Sequence, residues 1–118
     1  MAVDGILLSL PGAVAGEDLT AADLYTVVAL QTTAAEGPYT VVKTGSANAG
    51  MNLGVLYSYG TTGHAVQVVI AGIARFKVAG ALAAGAAVPG LDGATGNAEA
   101  RVLKAAVAAG EITEILIR

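Results

Sequence analysis

Apolar and polar residues alternate with a period of two over much of this chain, most clearly between Leu53 and Val78. Leu53, Val55, Tyr57 and Tyr59 fall on one side of an extended backbone, and Gly54, Leu56 and Ser58 on the other. Such a period, carried by β-branched and aromatic residues, predicts a strand. His64, Val66, Val68 and Ile70 then alternate with Ala65, Gln67, Val69 and Ala71, while Ala74, Phe76 and Val78 oppose Ile73, Arg75 and Lys77. These runs predict two more strands, His64–Ile70 and Ile73–Val78, meeting at Ala71-Gly72. The second has one core-facing and one more polar side.

Weaker signals fill in the rest. Gly5–Leu10 (GILLSL) is a short apolar run, a strand or a docking arm, closed by the turn signal Pro11-Gly12. Thr20-Ala-Ala-Asp23 matches a helix capping box, but the β-branched LYTVVALQ follows at once. We read a single helical turn at Leu19–Asp23 leading into a strand at Leu24–Gln31. Tyr39–Lys43, Ala98–Ala105 and Glu111–Arg118 are further strands, with loops at 32–38, 44–50 and 89–96. The alanine-rich Val78–Val88 is interrupted by Gly80 and Gly85, each costing about 1 kcal/mol in a helix interior, so at most one helical turn fits there. A small residue and a glycine precede strand-like runs at Gly63, Gly85 and Gly110, but their surroundings do not match, which indicates recurrent turn chemistry rather than repeats. The fold class expected is all-β with one or two short helical turns. The architecture is a small sandwich or barrel at 19–118 behind an N-terminal arm at 1–18.

Composition adds a constraint. Of 118 residues, 55% are apolar and only 13% charged, with a mean hydropathy of +0.69. That excess over what a small surface-rich monomer hides points to a homo-oligomer or a protein that coats a larger surface. A membrane span is not the explanation. The longest stretch without a charge, Thr44–Ala74, contains TGSANAG and SYGTTGH, and no run of about 18 apolar residues exists. The N-terminus has Asp4 and no basic region, a poor match to a signal peptide, so a soluble cytosolic product is expected. The absence of cysteine removes disulfides and thiolate metal sites.

The net charge of −3 is unevenly placed: positions 1–42 hold five acids and no base, and all six bases follow. Either an acidic arm meets a basic surface or, more simply, the charges are solvated where they fall. The bases are too dispersed for nucleic acid. The single histidine, His64, lacks a recognisable nucleophile or orienting partner; Ser9, Ser46 and Ser58 sit in no elbow motif. Asp92–Asn97 only loosely resembles a calcium loop, and no phosphate-binding glycine motif is present. Tyr57 and Tyr59 fit core or interface packing, or stacking on a ligand. No metal, cofactor or catalytic residue is expected. Arg75 and Lys77, with Phe76 between them, are the densest positive charge.

The order of features resembles the small phage head decoration, or capsid cement, proteins. The carriers are AGEDLTAADLYTVVAL (15–30), LGVLYSYGTTGHAVQVVIAG (53–72), IARFKVAGALAAGAAV (73–88) and ARVLKAAVAAGEITEILIR (100–118). The resemblance covers most of the chain, and its motifs are glycines and small residues rather than reactive groups. It implies a β-rich trimer on the exterior of a virion, bound at junctions between major capsid subunits and stabilising the head without catalysis. It places capsid contact in the arm, Asp4, Ile6, Leu7 and Leu8 among Asp4–Leu10; Arg75, Phe76 and Lys77 are further contact candidates by their concentrated charge. The segment YTVVALQTTAAEGPYTVV (25–42) departs from the family pattern. Another virion component (tail or head-fibre base) and a ligand- or carbohydrate-binding barrel using Tyr57 and Tyr59 are the rival readings. An enzyme comes last.

Overall fold

The computed structural model describes residues 7–32, 39–93 and 97–118. They form an all-β fold: β1 (Leu7–Ser9), β2 (Val14–Ala15), β3 (Val27–Gln31), β4 (Thr40–Lys43), β5 (Ala49–Ser58), β6 (Gln67–Lys77), β7 (Ala87–Asp92), β8 (Glu99–Val102) and β9 (Ile112–Ile117). A single 3-10 turn at Ala21–Asp23 precedes β3. Asp23 accepts a hydrogen bond from the Thr20 amide at 2.8 Å, closing that turn as the capping box predicts. The β-branched run after it then goes extended.

All nine strands belong to one sheet, ordered β2-β4-β3-β5-β6-β9-β8-β7, with β1 added against β6. All pairs are antiparallel except β2 with β4. Strand β6 is shared along its length. Gln67–Val69 pair with β5, Val69–Gly72 with β1, and Gly72–Lys77 with β9. The sheet therefore curls both ways around the β5–β6 hairpin and builds two cores.

The first core holds Val55, Val69, Phe76, Leu91, Ile115 and Ile117 among others, between β5–β6 and the β9-β8-β7 arm. Asn52 fastens that arm back to β5. Its side-chain amide donates to Gly90 O at 2.7 Å, its backbone amide donates to Asn97 Oδ1 at 2.8 Å, and its carbonyl accepts from the Ala98 amide at 3.2 Å. The second core holds Ala13, Ala15, Leu19, Val28, Val41, Leu56, Val66 and Val68. It is closed by β2, which bonds β4 on one edge (Val14 N to Tyr39 O, 2.8 Å) and residues 63–66 on the other (Ala15 N to His64 O, 2.9 Å). Alternation does the sorting: Val55 and Val69 face one core, Leu56 and Val68 the other.

This geometry corrects several expectations. The runs His64–Ile70 and Ile73–Val78 are one strand starting at Gln67, and Gly72 lies inside it with φ of +104°, a kink rather than a reversal. His64 belongs to the preceding turn. The 89–96 loop begins later than expected, because Pro89–Asp92 continue β7; Pro89 sits on the last strand of the sheet, where a missing N–H is tolerated. β5 starts at Ala49, inside the expected 44–50 loop. The helical alternative at 78–88 is absent. The segment read as an arm runs, from Leu7 onward, along β6, β4 and residues 60–66 through pairing and backbone bonds.

Gly54 is where the two halves meet. It pairs with Val28 of β3, beside Val55, which pairs with Val69 of β6. A Cβ at Gly54 would lie 2.0 Å from Val69 O and 3.2 Å from the Ile70 Cα, so β6 crosses over it backbone on backbone. Neither strand can withdraw, because each is a wall of both cores. Gly54→Ala is expected to destabilise by about 2 kcal/mol or more, as forced overpacking does. Gly45→Ala, with nothing within 4 Å of the added methyl, should stay within about 0.5 kcal/mol of wild type. Denaturant unfolding of the two variants checks this.

Candidate interaction surface

The side of β6, β9 and β8 turned away from the first core presents an ordered mixture of aliphatic and charged groups. Period two places Ile73, Arg75 and Lys77 on that side of β6, opposite Leu116, Glu114 and Ile112 of β9. Arg101 of β8 lies beside Leu116. Exposed aliphatic residues gather at one end of the β8–β9 pair: Leu103, Val107 (80% exposed) and Ile112. Lys104 reaches Glu114 at 3.3 Å, a solvent-exposed pair worth at most about 1 kcal/mol. Behind Lys104, the buried Thr113 hydroxyl donates to the Lys104 carbonyl at 2.5 Å and pins the connection to β9.

Arg75 is tied into this surface through its backbone and a ring contact. Its backbone amide donates to Tyr57 Oη at 2.6 Å, and its guanidinium lies 6.0 Å from the centre of the Tyr25 ring. The two tyrosines meet edge to face, with ring centres 5.3 Å apart. Tyr25 has φ of +63°, an uncommon backbone state for a bulky residue. Two backbone bonds hold it there, Tyr25 N to Leu56 O and Lys77 N to Tyr25 O, both 2.8 Å. The ring is thereby placed across the end of the first core.

The expected contact residues separate. Asp4 and Ile6 lie outside the described residues. Leu7 and Arg75 come together in a hollow of about 300 Å³ that Tyr57, Ile73, Ala74 and Glu114 also line. Leu8, 59% exposed, is on the neighbouring edge. Lys77 lines a different, larger cavity, and Phe76 is a core residue, turned inward by the same alternation that turns its neighbours out. Tyr57 and Tyr59 do not share a pocket: Tyr59 is exposed. The exposed Ile112, Leu103 and Val107 were not legible as surface. In EITEILIR, Ile112 shares its face with Glu114, Leu116 and Arg118, while Thr113, Ile115 and Ile117 form the buried one.

His64 sits in an exposed turn with its Nδ1 against the Thr61 hydroxyl. Among the described residues no three His, Asp or Glu side chains gather as a metal site, and no helix is long and apolar enough to cross a membrane. Comparison with protein-family models and with curated proteins gives no match.

Among the described residues, the N-terminal acids Glu17 and Asp18 are held by hydrogen bonds to neighbouring loops. Glu17 accepts from the Lys43 amide at 2.9 Å and from the Ser46 hydroxyl. Asp18 accepts from both the amide and the hydroxyl of Thr62 at 3.0 Å. Each clasps the N-terminal segment to a loop bounding the second core. The Thr62 amide, then its hydroxyl, and more weakly Lys43, hold the Asp18 carboxyl below the ordinary aspartate value. A depressed folded-state pKa contributes stability above the unfolded value, near pH 4, and loses it as pH falls through the folded value. Between pH 5 and pH 3, therefore, the melting temperature of the wild type should fall further than that of Asp18→Asn. Parallel thermal melts at both pH values would refute this if the two proteins lost equal stability.

Proposed function

We propose that the chain is a phage head decoration protein. It binds the exterior of an assembled capsid at junctions between major capsid subunits, as a homotrimer, and stabilises the head. The observation that carries this reading is the ordered run of decoration-protein motifs over residues 15–118. The all-β fold agrees with it, and so does a surface that mixes exposed aliphatic groups with fixed charge, Val107, Ile112, Arg75 and Glu114. A protein that acts by association needs a rigid frame and a contact face of this composition. Interface cores favour aliphatic and aromatic groups with arginine, and charge at the rim sets register and encounter rate.

Stabilisation follows from mass action. A ligand that binds only the assembled shell raises its stability by RT ln(1 + [L]/Kd), about 2.7 kcal/mol at a hundred times Kd. On this account the decoration protein adds contact area across junctions that internal pressure pulls apart. Arg75 and the exposed Leu8 flank the hollow where the N-terminal strand meets β6, and we assign the capsid contact to that region.

The test is to mix the purified chain with matching undecorated heads. Saturable, stoichiometric binding and a higher head-disruption temperature are expected, with density over the whole lattice in electron micrographs. Density confined to the tail or to fibre bases would favour another virion role, and no binding to such heads would sink the proposal. Arg75→Glu, with an unchanged melting temperature, should weaken head binding about tenfold, equivalent to about 1.4 kcal/mol.

A further inference from the structure

A cavity of about 530 Å³ opens between the turn before β3, the end of β4 and the segment that follows β6. Its walls are Val27, Phe76, Leu82 and Pro89, and its rim carries the side chains of Lys43 and Lys77. The volume falls within the range of small-molecule sites, which are typically lined by apolar groups with a few placed polar ones. This lining is unlike the solvent-facing side of β6–β9: the same strand supplies Phe76 to the floor and Lys77 to the rim.

The charge at the rim is unbalanced. Asp23 is the one acid in the lining, and its carboxylate already accepts from the Thr20 amide at 2.8 Å. The Lys77 ammonium donates to the Ala22 carbonyl at 2.6 Å, which anchors it at the mouth while two of its N–H groups stay available. Lys43 is exposed, and its backbone is pinned by Glu17. Two ammonium groups above an apolar floor complement a molecule with an apolar body and one negative end. Two cations are too few for a nucleic-acid backbone, and a neutral apolar molecule would leave both lysines without a counter-charge.

We propose that this cavity binds a small apolar carboxylate, its aliphatic or aromatic body against Val27, Phe76 and Leu82 and its carboxylate between Lys43 and Lys77. The assignment is independent of capsid binding, since the cavity lies apart from the hollow that holds Leu7 and Arg75.

Decanoate is the probe, titrated into the full-length protein by calorimetry and by displacement of the apolar anionic dye 8-anilinonaphthalene-1-sulfonate. One decanoate per chain is expected, with decanol binding at least about tenfold more weakly. Lys43→Met and Lys77→Met should each weaken decanoate roughly threefold, the scale of one exposed ion pair. Ala81→Trp, which fills the cavity from an exposed wall position, should abolish binding. Should Lys77→Met unfold through loss of its bond to Ala22, the Lys43 variant decides alone; Ala79→Trp stands in likewise for Ala81→Trp. Absence of saturable binding overturns the site. Equal affinity for decanol overturns the role of the lysines, and undiminished binding to both tryptophan variants places the ligand elsewhere.

Discussion

Everything in this fold depends on a hairpin whose centre is buried on both faces. Most antiparallel strands keep one face wet and one dry. Over Gly54–Leu56 and Val68–Val69 both faces of β5–β6 are buried. Two consequences follow directly from a period of two: neighbouring residues must serve different cores, and neither strand can move toward one core without opening the other. At Gly54 this confinement reaches the backbone, where the Val69 carbonyl occupies the space of a side chain. The contact permits the tight crossing that lets a sheet of short strands curl in two directions. A β-carbon there would separate the walls of both cores at once.

The double core also changes what the composition means. An apolar fraction of 55% in 118 residues looks excessive for a single compact core. A shared wall that buries residues on both faces, with alanines such as Ala13, Ala15, Ala29 and Ala100 in the tight places, takes up much of that excess inside the chain. The support for association therefore comes from where aliphatic residues remain exposed, at Leu8, Leu103, Val107 and Ile112, more than from the total. That is a narrower footing, divided between the β1 edge at Leu8 and the opposite end of β9 at Ile112.

How far the sequence could be read follows from which constraints are local. The turn at Ala21–Asp23, the strands at β3, β4 and β9 and the all-β class were legible, because capping, β-branching and alternation act within a few residues. What was not legible depended on partners far along the chain. Gly72 reads as a turn residue until β1 and β9 are seen to pair across it. Pro89 reads as a strand breaker until β7 proves to be the last strand of the sheet. Of the residues expected at a contact surface, Arg75 and Leu7 do converge. Phe76 was misread because its flanking charges suggested exposure, although alternation already assigned it to the core. Ile112 was passed over as one more apolar strand residue, although alternation puts it on the face of Glu114 and Arg118.

The uneven charge along the chain finds a physical account in the same arrangement. The three acids of the first forty residues that are described, Glu17, Asp18 and Asp23, are spent locally, each accepting backbone amides that close turns and loops. The bases have no such role in the fold, since an ammonium or guanidinium cannot satisfy an amide donor. Arg75, Arg101, Lys104 and Arg118 stand on or beside the outer side of β6, β9 and β8, where Lys104 pairs with Glu114 and Arg118 with Glu99. A protein with a net charge of −3 thus turns a locally positive, partly aliphatic face outward. Long-range repulsion from a negatively charged partner is screened within about 8 Å at physiological ionic strength, so at contact distance the local positive charge decides. On the proposed reading, charge of this kind sets orientation on a partner surface, while Glu17 and Asp18 remain occupied in tying the N-terminal segment to the loops beside the second core.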